Sequence, residues 1–118
     1  MTGLLRTGFL AAVLGLCGLV AGLAGSLPAA AGCYEGLGCT DVNRFSQANL
    51  RQQSCDTLYF VRNSIYQEHG YCFKTARARA VLGNAGCYIH DAGAVPLNRN
   101  ESANVAAIKQ AENWLGCR

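Results

Sequence analysis

His69 is the residue of this 118-residue chain best suited by type to move a proton. It closes the stretch Arg62-Asn63-Ser64-Ile65-Tyr66-Gln67-Glu68-His69, ahead of Gly70-Tyr71-Cys72-Phe73. A general base needs a nucleophile and an orienting carboxylate within hydrogen-bond reach. Ser64 is a nearby hydroxyl. Glu68 is adjacent to His69 and points elsewhere on a helix, and Asp56 is far along the same segment. No catalytic constellation is assembled in the sequence, so no catalytic residue is assigned. His69 is expected in the last helical turn, where its ring meets free carbonyls and the helix dipole. Metal binding needs convergent ligands at short spacing. His69 and His90 are the only histidines and no Cys-x-x-Cys occurs, so neither a metal nor another cofactor is expected. What remains is recognition: Arg62, Asn63, Tyr66, His69 and Tyr71 are candidate binding residues. Lys74, Arg77 and Arg79 form a small basic cluster that could meet anionic polymers or simply face solvent. Tyr59 and Trp114 are expected to pack into the core more than to bind.

The first 31 residues set the compartment. No charge occurs between Arg6 and Glu35. Within that gap Phe9 to Leu23 is almost wholly apolar, and Ala29-Ala30-Ala31 supplies small residues. This is the pattern of a secretory signal peptide, with cleavage expected after Ala31 and Gly32 as the new N-terminus. Two other readings compete. The uncharged run is long enough to span a bilayer if left uncut. A lipoprotein signal fits Ala30-Ala31-Gly32-Cys33 poorly and Leu16-Cys17 worse. Loss of Arg6 leaves nine Lys and Arg against seven Asp and Glu. A net charge of about +2 is too weak to argue for nucleic acid or an anionic membrane surface.

Six of the seven cysteines follow the leader: Cys33, Cys39, Cys55, Cys72, Cys87 and Cys117. An even count in a short exported chain reads as a disulfide framework. So small a domain buries too little apolar surface to be comfortably stable without staples.

The elements follow from spacing. Cys33 to Cys39 holds two glycines and forms a turn, so Cys33 pairs easily with Cys39. Thr40 to Gln53 is polar, with Phe45 and Leu50 facing inward and a helical turn possible from Ser46. Ser54 caps a helix that runs to about His69, with Asp56 in its first turn. Cys55, Leu58, Val61, Ile65 and His69 recur at three or four and make one face; Gly70 is the left-handed stop. A short helix is expected from Thr75 to Leu82, with Ala76, Ala80 and Val81 as its apolar contacts. Cys87 to Leu97 is loop, with a short strand at Tyr88-Ile89. Asn98 and Glu101 have capping-box spacing and open a third helix. Val105, Ile108, Glu112 and Leu115 share its inner face.

A helix from Cys55 to His69 is about 20 Å long, whereas a disulfide needs Cα atoms within about 7 Å. Cys55 therefore does not pair with Cys72. If the first and third helices are antiparallel, Cys55 meets Cys117, and Cys72 with Cys87 closes the small loop. Cys55–Cys87 with Cys72–Cys117 is the alternative.

The run Arg62-Asn63-x-Ile65-Tyr66-x-x-His69-Gly70-Tyr71-x-Phe73 resembles the YARHG domain of bacterial extracytoplasmic proteins. Its motif is Tyr66-Gln67-Glu68-His69-Gly70 in this chain, so the Ala and Arg positions depart from the name, and Glu68 reverses a charge. Ser54-Cys55, Tyr71 to Thr75, Gly83 to Cys87 and Gly116-Cys117 look like a cysteine-containing version of the domain. The likeness spans residues 46–117. It implies an exported domain and no particular activity. The resulting expectation is an all-α, mainly helical, disulfide-stapled domain of about three helices with irregular loops. Its organisation is a leader over 1–31, a loop segment over 32–53 and the helical domain over 54–118. It is expected to be periplasmic or secreted, membrane-bound only if the leader is kept. The leading function is a non-catalytic module that binds a cell-wall component or envelope protein, or serves a structural role. The alternative is a small secreted hydrolase or enzyme inhibitor built around His69. Asn100-Glu101-Ser102 matches a glycosylation acceptor, which the resemblance to a bacterial family implies is a chance match.

Overall fold

The computed structural model describes residues 32–118. The leader over 1–31, whether cut or kept, lies outside the described residues. Two strands of two residues each, β1 (Cys33–Tyr34) and β2 (Gly38–Cys39), pair antiparallel with Cys33 opposite Cys39. They are followed by α1 (Gln47–Leu50), α2 (Cys55–Glu68), α3 (Ala76–Val81) and α4 (Arg99–Leu115), with a 3₁₀ turn at Ala92–Ala94. The fold is mainly helical and disulfide-linked. The expected helix count of about three is corrected to four α-helices among the described residues, the fourth being α1, the possible helical turn from Ser46.

Every α-helix starts on a side chain that accepts from its first turn. Ser46 accepts from Asn49 N–H, Ser54 from Thr57 N–H, Thr75 from Ala78 N–H and Asn98 from Glu101 N–H. Each satisfies one of the N–H groups that a helix leaves without an internal partner. Asn98 and Glu101 complete the reciprocal capping box. α2 closes on His69, with Gly70 at φ +88°. Tyr71 N–H donates to Tyr66 carbonyl and Gly70 N–H to Gln67 carbonyl, the paired bonds of a Schellman motif. α4 ends with the same pattern at Gly116 and Cys117.

The core lies where α1, α2 and α4 meet. Leu58, Val61 and Ile65 from α2 pack with Val105, Ile108 and Ala111 from α4, and Leu37, Phe45 and Leu50 join them. Each fully buried aliphatic side chain contributes about 1.5–3 kcal/mol. The segment 32–53 thus shares the core of the helical domain. Asn104 explains its attachment. Its amide donates to the carbonyls of Thr40 and Asn43 and accepts from Phe45 N–H, all at 2.7–2.9 Å. A buried amide with both N–H groups and its oxygen bonded fixes one arrangement of the chain.

Two inner faces differ from expectation. In α3 the buried residue is Ala78, while Ala76, Ala80 and Val81 are exposed. The short helix rests on one small residue, and Arg79 turns back to donate to Phe73 carbonyl. In α4 the stripe begins with Glu101 and Asn104, polar residues accepted because each is hydrogen-bonded. Trp114 falls off that stripe and is 62% exposed, under the Arg51 guanidinium 4.5 Å from the ring centroid. The strand expected at Tyr88-Ile89 is a single bridge, Ile89 to Tyr71.

Three disulfides staple the domain: Cys33–Cys39, Cys55–Cys117 and Cys72–Cys87. Cys55 opens α2 and Cys117 follows α4, so the bond ties the two helices at one end. It spans 62 residues of chain against 15 and 6 for the others. In the chain-entropy account it contributes most, about 4 kcal/mol. Replacing both cysteines by serine is expected to lower the urea-unfolding free energy by about that amount. The Cys33/Cys39 replacement is expected to cost about half as much. Gly70 is constrained twice, by its positive φ and by the Tyr88 ring, whose Cε1 would lie 2.3 Å from an added Cβ. Tyr88 is 71% exposed and can swing away. Gly70→Ala is therefore expected to cost about 1–2 kcal/mol, barely relieved when Tyr88→Ala is added, as read by thermal unfolding.

Candidate functional site

Two features form around the stretch from Arg62 to Tyr71, and they use different faces of α2. The first is at its C-terminal end. His69 Nε2 lies 2.7 Å from Glu101 Oε2. With the carboxylate as acceptor, the ring proton sits on Nε2. The other carboxylate oxygen accepts from Asn98 N–H at 2.9 Å. Glu101 is 4% exposed, so its charge is screened little by solvent and is held by these bonds and by the α4 N-terminus. The expectation that the His69 ring meets free helix carbonyls is corrected: its Nε2 meets the Glu101 carboxylate, brought to it by the packing of α4 against α2. The capping-box position of Glu101 was legible, but the second oxygen's partner, 32 residues away, was not.

A histidine oriented by a carboxylate is two parts of a catalytic triad; the third part is a nucleophile. Ser64 is buried and its hydroxyl donates to Phe60 carbonyl at 2.7 Å, a helix-internal bond. Glu68 sits beside this pair. Burial pushes its carboxyl above the usual range, Glu101 and Asp41 push it the same way, and His69 opposes them. Tyr34 is also raised, by burial first, against a Ser64 hydrogen bond that lowers it, with Glu68 adding to the rise.

The second feature is a cleft of about 210 Å³ between α2 and α4, lined by Arg62, Asn63, Tyr66, Tyr71, Ala92 and Lys109. Four of the five candidate binding residues meet here. His69 does not line the cleft; it is turned to Glu101. Lys109 and Ala92 were not anticipated. Lys109 lies on the outer face of α4, where a lone lysine carries no sequence signal. A second hollow of about 250 Å³ shares Arg62 and Lys109 and continues to Glu112, Asn113 and Cys117.

Within the cleft the side chains are well held. Arg62 forms two bonds to Glu112, Nε to Oε1 at 2.6 Å and Nη2 to Oε2 at 3.1 Å. This fork geometry is stronger than a point-charge pair and crosses from α2 to α4. Asn63 donates to Tyr59 carbonyl one turn back. Tyr66 and Tyr71 rings lie 5.9 Å apart, and Tyr71 meets Phe73 edge-on at 5.2 Å. Lys109 is exposed and makes no ion pair among the described residues. The basic cluster of Lys74, Arg77 and Arg79 is exposed, with two of its members engaged by neighbours within the fold. Arg77 lies 3.7 Å from the Tyr59 ring centroid and bonds Asp56, and Arg79 bonds Phe73 carbonyl. Among the described residues no group of three or more His, Cys, Asp or Glu is placed to hold a metal ion. No described helix is long and apolar enough to cross a membrane.

No curated protein and no solved structure matches the chain. A family model does, over residues 37–113, which takes in the segment 37–53 as well as α2, α3 and all but the last two residues of α4. That span contains the His69–Glu101 pair, the cleft and the shared core, and on it the chain belongs to the YARHG domain family.

Proposed function

We propose that this is an exported, non-catalytic binding module, periplasmic or secreted, and that the cleft between α2 and α4 is its ligand site. The observation that carries this reading is the convergence of Arg62, Asn63, Tyr66 and Tyr71 with Lys109 around one hollow. Three disulfides support maturation in an oxidising compartment. The cleft offers an ammonium without a carboxylate partner, two tyrosine rings and an amide. A carboxylate-bearing component of the cell wall fits this chemistry: the ammonium meets the charge, and the rings cover an apolar or sugar face. Arg62, neutralised by Glu112, shapes the wall of the site and leaves Lys109 as its charge.

One observation favours a hydrolase: the carboxylate beside His69. Against it, one oxygen of Glu101 caps its own helix through Asn98 N–H and the other ties α4 to α2 through His69, and the neighbouring serine hydroxyl is engaged by its own helix. A structural role accounts for all of these bonds.

Isothermal titration of the processed protein with soluble wall fragments tests the site. Lys109→Ala is expected to weaken binding about tenfold, near 1.4 kcal/mol, with an unchanged melting temperature because Lys109 is exposed. Full-strength binding by a Lys109→Ala/Tyr66→Ala protein would sink the assignment. The His69–Glu101 pair predicts something different. Glu101→Gln and His69→Ala are each expected to lower the unfolding free energy by about 1–3 kcal/mol while affinity for the wall fragment persists. Loss of a measured hydrolytic turnover in His69→Ala, with stability intact, would favour the enzyme reading instead.

A further inference from the structure

We propose that the α-amino group freed at Gly32, when the leader is cut after Ala31, is a working part of the folded domain. It pairs with the Glu68 carboxylate and donates a hydrogen bond to Thr40 Oγ1. The inference rests on the cleavage site read from the leader. Water adds across the Ala31–Gly32 amide, the carboxylate departs with Ala31, and Gly32 keeps the nitrogen as an ammonium.

Gly32 is buried, and its carbonyl accepts from Thr40 N–H at 2.8 Å, which fixes its Cα at the edge of the hairpin. A methyl built on that Cα would lie 3.0 Å from Thr40 Oγ1 and 3.1 Å from each Glu68 oxygen. The nitrogen on the same carbon is about 2.5 Å from that methyl position, so it stands within about 6 Å of both groups. Opposite charges at that separation favour each other's ionised form.

Two independent features mark the place as missing a cation and a donor. Thr40 is 1% exposed, and its Oγ1 has no hydrogen-bond partner among the described residues. The three N–H bonds of an ammonium at Gly32 are the donors we assign to it. Glu68, exposed to solvent, also stands near two like charges, Glu101 of α4 and Asp41 of the loop, which His69 on its own helix opposes, and the Tyr34 phenol of the hairpin lies near it. Before cleavage, position 32 offers this corner a neutral amide. After cleavage it offers a positive charge, so leader removal strengthens the fold that it releases.

The test uses protein exported and processed by its host, with the N-terminal residue read by sequencing. The Gly32 amine, followed by NMR titration, is expected to titrate above the ordinary α-amino range of about 7.7–8.0. It should return to that range in Glu68→Gln. Stability from the amine is then present below that range and is lost as pH rises through its folded value. At pH 7, Glu68→Gln is expected to lower the melting temperature of the processed protein by roughly 3 °C. The same change in protein acetylated at the α-amino group is expected to lower it not at all, since there it only relieves repulsion. An amine at its ordinary value, or an equal Glu68→Gln effect in both forms, overturns the pairing. A first residue other than Gly32 overturns the cleavage reading and the proposal with it, and sequencing separates that failure from the first.

Discussion

Glu101 is held by two elements at once. One oxygen caps the helix on which it sits, through Asn98 N–H, and the other meets His69 at the end of α2. The carboxylate is placed at the positive end of α4 and the imidazole at the negative end of α2, each where the helix dipole favours it. At the opposite end of the same two helices, Cys55 and Cys117 are joined covalently. The antiparallel α2/α4 pair is therefore clamped at both ends, by a covalent bond at one and a part-buried hydrogen bond at the other. Between the clamps lie Leu58, Val61, Ile65, Val105 and Ile108, and on the flank lies the Arg62–Glu112 fork. A core this small needs such clamps, because conformational entropy on folding nearly cancels what its burial gains.

The same clamp makes the cleft. With α2 and α4 held in register, Arg62, Asn63 and Tyr66 on one helix stand across from Lys109 on the other. Gly70 then reverses the chain so that Tyr71 returns over Tyr66, while Gly70 carbonyl receives the N–H groups of Tyr88 and Ile89. A His-Gly pair at a helix end thus serves two directions. The histidine ties inward to Glu101, and the glycine turns the chain outward toward the cleft. This separates architecture from recognition within one short motif, and it is why His69 is absent from the cleft that its neighbours line.

The N-terminal segment was the part of the chain least legible beforehand. Its polar residues suggested a loop, yet Thr40, Asn43 and Phe45 are bound through their backbone to Asn104. A buried asparagine inside a helix leaves no mark on hydrophobic periodicity, because pattern reading assigns polar residues to the surface. For the same reason Glu101 showed its role as a cap and hid its role as a partner. Trp114 erred the other way: an aromatic expected inside lies outside under Arg51, since its position on α4 falls off the buried stripe.

Local chemistry determined what the sequence could determine alone. The caps at Ser54 and Asn98, the stop at Gly70 and the apolar face of α2 depend on residues within a turn of one another. Cysteine count and family likeness likewise belong to the chain itself. Only the tertiary structure decided which side chains meet across α2 and α4: His69 with Glu101, Arg62 with Glu112, Asn104 with the segment before α1, and Lys109 with the tyrosines. Those contacts join residues about 30 to 65 positions apart. They are set by the register of two clamped helices, a quantity that no local pattern encodes.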